Sequence, residues 1–475
     1  MTGQRAAIIG GGVIGGGWAA RFLLNGWDVV VHDPAPGAGE AVEAVLSQAR
    51  RALPSLYDRV LPDAGTLSFA DTLSGAVAGA DWVQESVPER LEVKHAVLGQ
   101  ITAAARPEAL IASSTSGFKP SDLTAKGARA IVAHPFNPVY LLPLVELVGD
   151  AANTQRAAET LRGIGMAPLV LRREIDAHIA DRLLEAVWRE ALWLVRDGVA
   201  STAEIDDAIR LGFGIRWAQM GLFETYRIAG GTAGMQHFLR QFGPALHWPW
   251  SRLTDVPELT DDLVAKIAAQ SDAQSGHLSI RELERLRDDN IVALLRGLRR
   301  TNSGAGAVIA AHEATLPMPT LLDGLPVTGA RVVPTSWTDY NGHMNESHYL
   351  EAASAASDTF MALIGADAAY IAAGHSFFTV ETTIRHLAEV QAGARLTVTT
   401  QVLAAEGRKM ALLHRLWCDD DTLSATVATL LVHVDLTTRR GSAPSPDVAA
   451  ALARYAAAHA DFDTSGAGRF GMNSP

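Results

Sequence analysis

The stretch RAAIIGGGVIGGGWAARFL, residues 5–23, decides the fold of the first part of the chain. A strand-like apolar run leads into G-x-G-x-x-G, formed by Gly10, Gly12 and Gly15, and a helix-like run follows. Glycine permits the tight turn, lets backbone N–H groups approach a pyrophosphate and lets the helix pack closely on the strand. The turn therefore predicts a dinucleotide site, although a glycine-rich turn without a ligand is the alternative. Its predicted cofactor contacts are Gly10, Gly11, Gly12, Val13, Ile14 and Gly15.

Asp33 distinguishes between the two nicotinamide cofactors. It ends the next strand-like run, WDVVVHD, where a carboxylate can bind both ribose hydroxyls. The residues that follow, Pro34, Ala35 and Pro36, offer no arginine for a 2′-phosphate. The sequence thus predicts NAD rather than NADP.

Length and composition bound the class of protein. The chain has 475 residues, 48% of them hydrophobic and 19% charged, which suits about three globular domains. A net charge of -12 without a basic block argues against nucleic acid and anionic membranes as partners. A single cysteine, no signal peptide and no apolar run of about 20 residues predict a cytoplasmic protein. We expect no metal site.

The spacing of apolar residues divides the chain. The runs RAAIIG, WDVVVHD, ADWVQES, ALIASST and ARAIVAHPF predict buried parallel strands of a doubly wound sheet. From Ala180 to Gly198 the apolar residues take helical spacing, and Ser201 with Glu204 predicts a capping box on the next helix. After Val327 the runs RLTVTTQVL, KMALLHRLW and ATLLVHVDL predict an antiparallel sheet. The predicted parts are a nucleotide-binding domain 1–180, a helical domain 181–300, a linker 301–326, a sheet domain 327–440, and a C-terminal helix with a disordered tail 441–475.

A histidine and a glutamate stand out in IVAHPFNPVYLLPLVELV, residues 131–148. His134 ends one strand-like run and Glu146 lies in the next. If the two runs are neighbours, the carboxylate holds the imidazole in one tautomer and raises its basicity, as a general base requires. The alternative is a hydrogen-bonded core histidine with an unrelated glutamate.

Several motifs across residues 5–300 resemble the 3-hydroxyacyl-CoA dehydrogenase superfamily. They are H-x-x-N-P followed by LVELV, WVQESVPERLEVK, ASSTSGF and ADRLLEAVWREALWLVRDG. The resemblance implies a Rossmann-type α/β domain followed by an all-helical domain like that of 6-phosphogluconate dehydrogenase. It also implies His134 as catalytic base, Glu146 as its partner and Ser116 at the substrate hydroxyl. Glu89 and Lys94 would lie near the nicotinamide.

The chain departs from that pattern at two positions. Pro135 follows His134 where the CoA-ester branch usually has two phenylalanines, which resembles the branch that acts on free hydroxy acids. Asp181 stands where the family has a catalytic asparagine, and an ionised aspartate cannot donate a hydrogen bond. Either that role is lost, or the position serves a differently charged substrate.

The helical domain is rich in aromatic residues, whose faces attract quaternary ammonium groups. Plain helix packing is the alternative for any single ring. The candidates are Trp188, Trp217, Phe223, Tyr226, Trp248 and Trp250, with Arg216 as a candidate for a substrate carboxylate. With RWAQMGLFETYRIAGG and PALHWPWSRL, the pattern resembles the L-carnitine dehydrogenase group and implies a zwitterionic substrate, carnitine, oxidised to 3-dehydrocarnitine. One competing hypothesis is a gulonate-like acid as the substrate. Another is a first domain that only binds the dinucleotide.

The stretch TDYNGHMNESHYL, residues 338–350, carries a second site. D-x-x-G-H-M-N-x-x-x-Y-L before a helix resembles the 4-hydroxybenzoyl-CoA thioesterase branch of the α+β hotdog fold over residues 327–440, and that fold normally pairs as a homodimer or larger homo-oligomer. The resemblance implies Asp339 as nucleophile or base, Gly342 near the thioester, and His343 and Asn345 shaping the loop or touching substrate. Beside a carnitine dehydrogenase, it implies hydrolysis of betainyl-CoA to glycine betaine and CoA. The alternative is a hotdog module that serves only oligomerisation.

Overall fold

The computed structural model of the chain describes residues 4–57, 59–229, 238–240, 251, 258, 260–275, 277–316, 321–419, 421–465 and 467. The chain folds into two compact units. The first contains Met1–Leu56 and Asp63–Ala314, and the second contains Tyr57–Pro62 and Thr315–Pro475. No helix within the described ranges is long and apolar enough to cross a bilayer.

The first unit is built on an eight-stranded sheet of order β3-β2-β1-β4-β5-β6-β7-β8. Its strands are β1 Arg5–Ile9, β2 Asp28–His32, β3 Leu67–Phe69, β4 Trp82–Glu85, β5 Leu110–Ser113, β6 Ile131–Pro135, β7 Leu144–Val148 and β8 Ala167–Val170. The five predicted runs form β1, β2, β4, β5 and β6, and these pair in parallel. Strand β7 runs antiparallel to β6 and places His134 opposite Glu146.

Helices cover this sheet. They are α1 Val13–Leu23, α2 Ala38–Ala52, α3 Leu73–Val77, α4 Leu91–Ala104, α5 Pro120–Thr124 and α6 Ala151–Gly163. Apolar side chains such as Ala7, Val30 and Val83 on the strands and Leu98 and Ile101 on α4 form one buried cluster. Near-continuous apolar strands are typical of a parallel sheet covered by helices, and the predicted Rossmann-type fold is confirmed.

The predicted helical region follows the sheet. It contains α7 Ala180–Arg196, α8 Thr202–Ala208, α9 Gly214–Ala229, α10 Asp261–Ser275 and α11 Ile280–Arg300. Gly198, with φ +69°, lies just beyond α7. The capping box is present: Ser201 Oγ accepts from Glu204 N (3.3 Å), and the Glu204 carboxylate accepts from Ser201 N (2.8 Å).

The segment predicted as a linker is partly helical. Residues Gly304–Thr315 form α12, which buries Ile309 and His312 within the first unit. The glycines and small residues suggested a connector, but the alanine-rich run has high helix propensity and begins before the first proline, Pro317. The independent connector therefore does not span residues 304–315.

The second unit is the predicted hotdog fold. Its strands are β9 Leu321–Leu322, β10 Leu325–Val332, β11 His375–His386, β12 Arg395–Glu406, β13 Lys409–Cys418, β14 Thr422–Asp435 and β15 Arg440–Gly441, and its helices α13 Glu346–Leu363, α14 Ala368–Ala372 and α15 Pro446–Ala458. The antiparallel order is β11-β14-β13-β12-β10-β9, with β15 beside β14. Helix α13 buries Ala352, Ala353 and Ala356 against Val398 and Val427 of the sheet. Most of the predicted disordered tail, residues 468–475, lies outside the described residues.

A polar group lies inside this second core. His414 on β13 is fully buried and hydrogen-bonds through Nε2 to Ser357 Oγ (2.9 Å) and through Nδ1 to Thr400 Oγ1 (2.8 Å). Burial lowers the pKa of His414 to about 3, so the imidazole is neutral at neutral pH.

Candidate active sites

The glycine turn between β1 and α1 is shaped for close backbone contact. Gly10 has φ +103°, and a Cβ on Gly15 would lie 1.8 Å from the Gly10 carbonyl oxygen. Gly12 caps α1 without a side-chain hydrogen bond, and a Cβ there would meet nothing within 4 Å. The N-terminus of α1 is thus open and exposed at Gly12 and Val13, as pyrophosphate binding at a helix N-terminus requires. Val13, half-exposed at 56%, and Ile14 complete the turn.

Asp33 is held at the end of β2 beside this turn. Its Oδ2 accepts from Gly11 N (2.6 Å) and its Oδ1 from Ala35 N (2.8 Å). Both bonds fix a partly exposed carboxylate next to the open helix terminus. The Asp33 carboxylate and the open space at the glycine turn fit NAD.

His134 and Glu146 contact each other across β6 and β7. His134 Nδ1 lies 3.1 Å from Glu146 Oε2, and both side chains are buried. Glu146 Oε1 accepts from Ile179 N (2.9 Å) and Ala180 N (3.0 Å) at the start of α7. Since an ionised carboxylate only accepts, Nδ1 carries the hydrogen and Nε2 carries the lone pair of a base.

These bonds keep Glu146 ionised. Burial raises the pKa of Glu146, but the hydrogen bonds from His134, Ala180 and Ile179 outweigh it, so the pKa lies below the ordinary glutamate value. A negative partner for His134 therefore persists at neutral pH, and it favours the imidazolium that forms when the base takes a proton.

Asp181 lies on the other side of the same imidazole. Its Oδ2 is 3.6 Å from His134 Nε2, and its side chain is 17% exposed. Burial raises the pKa of Asp181, and the negative charge of Glu146 raises it further, against the opposing effect of His134. The predicted base thus has a carboxylate near each ring nitrogen.

Glu89 and Lys94 belong to a charge cluster in which the lysine is buried and Glu89 is partly exposed. Lys94 Nζ contacts Glu85 Oε1 (3.0 Å) and Glu89 Oε2 (3.2 Å) and is 1% exposed. Glu89 Oε1 accepts from Thr115 Oγ1 and from the backbone N–H of Ser116 (3.2 Å). Burial raises the pKa of Glu89, but the Thr115 bond and the Lys94 charge lower it more. The cluster therefore fixes the loop that presents the exposed Ser116.

His178 was not predicted and lies in this site. It is fully buried, and its Nε2 hydrogen-bonds with the Thr115 carbonyl oxygen (3.2 Å). Its ring centroid is 5.6 Å from that of His134. His178 and Ala177 both have positive φ, +50° and +58°, a strained conformation that clusters at functional sites. The sequence signal was only its position three residues before Asp181.

The predicted aromatic cluster is spread along the helices. Trp188 and Phe223 are 54% and 73% exposed, and Arg216 is also exposed. The ring of Trp217 contacts that of Phe213, with 4.5 Å between the ring centroids, and the ring of Tyr226 stacks on that of Phe238, with 4.7 Å between the centroids. Within the described residues no ring contact places them against His134, and Trp248 and Trp250 lie outside those residues.

In the second unit, Asp339 shapes the turn before α13. Asp339 Oδ1 accepts from Asn341 N (2.8 Å), and Gly342 has φ +81°. Asn345 is the N-cap of α13, and its Oδ1 accepts from Ser347 N (3.0 Å). The bond from Asn341 is one that an aspartate in a turn commonly accepts. The Asp339 carboxylate nevertheless remains partly exposed and open to a ligand.

An open cavity of about 360 Å³ lies beside this turn. It is lined by His343, Met344, Glu346, Tyr349, His386, Leu387, Ala388 and Glu389. His343 Nε2 pairs with Glu389 Oε2 at 3.2 Å. The cavity therefore places an imidazole, carboxylates and a phenol at the start of α13.

Comparison with known families agrees with this division. The profile described as 3-hydroxyacyl-CoA dehydrogenase, NAD binding domain, matches residues 5–175, and that of the C-terminal domain matches residues 178–265. The profile of the thioesterase-like superfamily matches residues 333–452. Both kinds of domain predicted from the motifs are thus present.

Whole-chain relatives carry both domains. The chain is 60% identical to an L-carnitine dehydrogenase/betainyl-CoA thioesterase of Ruegeria pomeroyi, over 96% of each chain. It is 54% identical to one of Agrobacterium fabrum, over 94% of each. An L-carnitine dehydrogenase of Pseudomonas aeruginosa matches 64% of this chain and 97% of its own length, at 51% identity. Among solved structures, 5-formyl-3-hydroxy-2-methylpyridine 4-carboxylic acid 5-dehydrogenase covers 62% of this chain and 98% of its own, with 28% identity and a TM-score of 0.52.

Proposed function

Since the chain belongs to the family of L-carnitine dehydrogenase/betainyl-CoA thioesterases, we propose that it is a bifunctional enzyme of carnitine metabolism. Its first unit oxidises L-carnitine to 3-dehydrocarnitine with NAD as cofactor. Its second unit hydrolyses betainyl-CoA to glycine betaine and CoA. The relatives favour carnitine over a gulonate-like acid as the substrate.

The His134–Glu146 contact carries the dehydrogenase proposal. Because Nδ1–H donates to Glu146, Nε2 is free to take the proton of the 3-hydroxyl group. Glu146 then stabilises the imidazolium, and Ser116 holds the hydroxyl group from the loop that Glu89 fixes. When bound, NAD would supply the acceptor for the hydride that leaves C3 of the substrate. Gly10–Gly15 would hold the pyrophosphate, Asp33 the ribose, and Glu89 with Lys94 the nicotinamide half.

Aromatic side chains of the helical region complete the carnitine site in this proposal. Trp188, Trp217, Phe223 and Tyr226 provide ring faces for the trimethylammonium group, and Arg216 pairs with the carboxylate. The exposure of Trp188 and Phe223 leaves their faces available to a ligand.

Asp339 is the proposed catalytic group of the thioesterase. Its partly exposed carboxylate can attack the thioester carbonyl or activate a water, and N–H groups at the start of α13 can polarise that carbonyl. Gly342 allows close backbone approach, while His343 and Asn345 shape the loop.

Two crossed variants of the full chain test the proposal. His134→Gln should lose carnitine-dependent NADH formation and keep thiol release from betainyl-CoA, and Asp339→Asn should show the reverse pattern. Each variant is the control for the other, because a folding defect of the whole chain would reduce both activities. NADH formation from gulonate but not carnitine would refute the first assignment. Thiol release that Asp339→Asn leaves unchanged would refute the catalytic role of Asp339, and thiol release that is absent in the wild type would leave the second unit as an oligomerisation module.

We also propose a cytoplasmic homodimer or larger homo-oligomer. One cysteine in the chain suits a reducing compartment. Strand β11 ends the sheet order and exposes Phe378 (40%) and Val380 (58%), a surface that a second copy can cover. Light scattering coupled to size exclusion measures the number of subunits, and a monomer at micromolar concentration would contradict the proposal.

A further inference from the structure

The free nitrogen of His134 faces a second negative group rather than a donor. Glu146 takes the Nδ1–H, so Nε2 presents a lone pair toward Asp181 Oδ2 at 3.6 Å. Within the described residues, no N–H or O–H group donates to the Asp181 carboxylate. With His134 neutral and Asp181 ionised, two electron-rich groups lie side by side, and neither donates a hydrogen to the other.

This arrangement selects the ligand that can satisfy both groups. The ligand must donate a hydrogen to Nε2 and must place positive charge next to the donor, toward Asp181. An alcohol bound to Nε2 puts its oxygen about 3 Å from the nitrogen. A cation on the neighbouring carbon lies only about 3 Å further, because it is separated from the oxygen by three single bonds. Asp181 is within direct reach of such a cation.

We propose that Asp181 is the anionic contact for the trimethylammonium group of the substrate and thereby determines specificity for hydroxy acids with a cation beside the carbinol carbon. This inference rests on the proposed carnitine oxidation. The partly buried position strengthens the attraction relative to water. The carboxylate of the substrate, on the other side of the carbinol carbon, points away from the negative Asp181.

The test varies one charge on the enzyme and one on the substrate. L-Carnitine is compared with 3-hydroxy-5,5-dimethylhexanoate of matching configuration, in which a carbon replaces the ammonium nitrogen. Asp181→Asn should lower the ratio of kcat/KM for L-carnitine over the neutral isostere by about 10- to 100-fold. Effects of Asp181 on His134 itself apply to both substrates and cancel in the ratio.

Glu185→Gln is the matched control. Glu185 lies one turn further along α7, is 49% exposed and pairs with Arg189 at 3.8 Å. Its removal deletes the same charge from the same helix and should leave the ratio unchanged. Asp181→Glu keeps the charge and should retain more of the preference for L-carnitine than Asp181→Asn, which separates charge from folding effects.

The outcomes separate the two claims. If the wild-type enzyme does not oxidise L-carnitine, the proposed function fails. If the wild type oxidises it but Asp181→Asn weakens both substrates equally, the proposed function stands and Asp181 acts only on His134. An equal change of the ratio in Glu185→Gln would also overturn the inference, because the effect would then be one of general charge.

Discussion

Replacing Glu146 by glutamine should disable the dehydrogenase without removing its hydrogen-bonding shape. Glutamine can keep its carbonyl oxygen on the N–H groups of Ile179 and Ala180, now 2.9 and 3.0 Å from the carboxylate. Its amide then faces His134 Nδ1 as a donor, so Nδ1 must accept. The hydrogen moves to Nε2, and the imidazole can no longer take the proton of the substrate.

The size of the effect follows from these contacts. Loss of general-base catalysis lowers kcat by about 10²- to 10⁴-fold. Hydrogen bonds to a charged group contribute about 1 kcal/mol more than neutral ones, so three weakened bonds cost up to about 3 kcal/mol of the free energy of unfolding. Because the pKa of Glu146 is lowered in the fold, its charge stabilises the fold above the ordinary value of 4.5, and that contribution is lost as pH falls through the folded pKa. The variant should lose this acid dependence.

The assay combines kinetics with binding. NADH formation from L-carnitine gives kcat, titration calorimetry gives the Kd for NAD, and thiol release from betainyl-CoA reports on the second unit of the same sample. Only kcat should change strongly. Glu159→Gln, an exposed glutamate on α6, is the control and should behave as wild type. A kcat within about tenfold of wild type in Glu146→Gln would refute the tautomer argument, because a general base contributes more than that.

Three further predictions concern the rest of the molecule. Gly15→Ala should abolish NAD binding by calorimetry, because the added Cβ would lie 1.8 Å from the Gly10 carbonyl oxygen; retained binding would refute this packing. Lys94→Met should lower the free energy of unfolding of the first unit by about 3–5 kcal/mol in urea titrations, since it leaves buried carboxylate charge without its partner, and a smaller loss in Lys94→Arg would support that cause. The pKa of His414 is about 3 in the folded unit, against an ordinary value of 6.5. The second unit should therefore lose stability as pH falls below 6.5, by up to about 1.4 kcal/mol per pH unit. His414→Gln should flatten that slope between pH 7 and 5, and an unchanged slope would contradict the assignment.

The strands around the first site could be predicted because their apolar runs are continuous and end at chemically distinctive residues. The pattern placed His134 and Glu146 on separate runs, but it could not give the antiparallel pairing of β6 and β7 that brings them together. That pairing depends on contacts across the sheet rather than on local spacing. His178 was missed for a related reason, since its side chain is held by a hydrogen bond with the Thr115 carbonyl oxygen, about 60 residues earlier in the chain.

Composition was a weaker guide than periodicity. Small residues between 301 and 326 suggested a linker, yet alanine supports helix α12 there, and burial of Ile309 fixes it. Trp188 and Phe223 of the helical region are mainly exposed, and their place at a ligand stays a prediction. Local composition cannot specify which faces of neighbouring helices meet.

Glu146 accepts from the base on the sheet and from the first N–H groups of α7 with the same carboxylate. His134 is consequently oriented as a base only when the sheet and helix α7 are assembled. A nascent or partly opened chain could retain its dinucleotide turn while α7 is displaced, and its histidine would then be unoriented. Such a species would bind NAD without oxidising substrate, so cofactor binding alone does not report a correctly assembled active site.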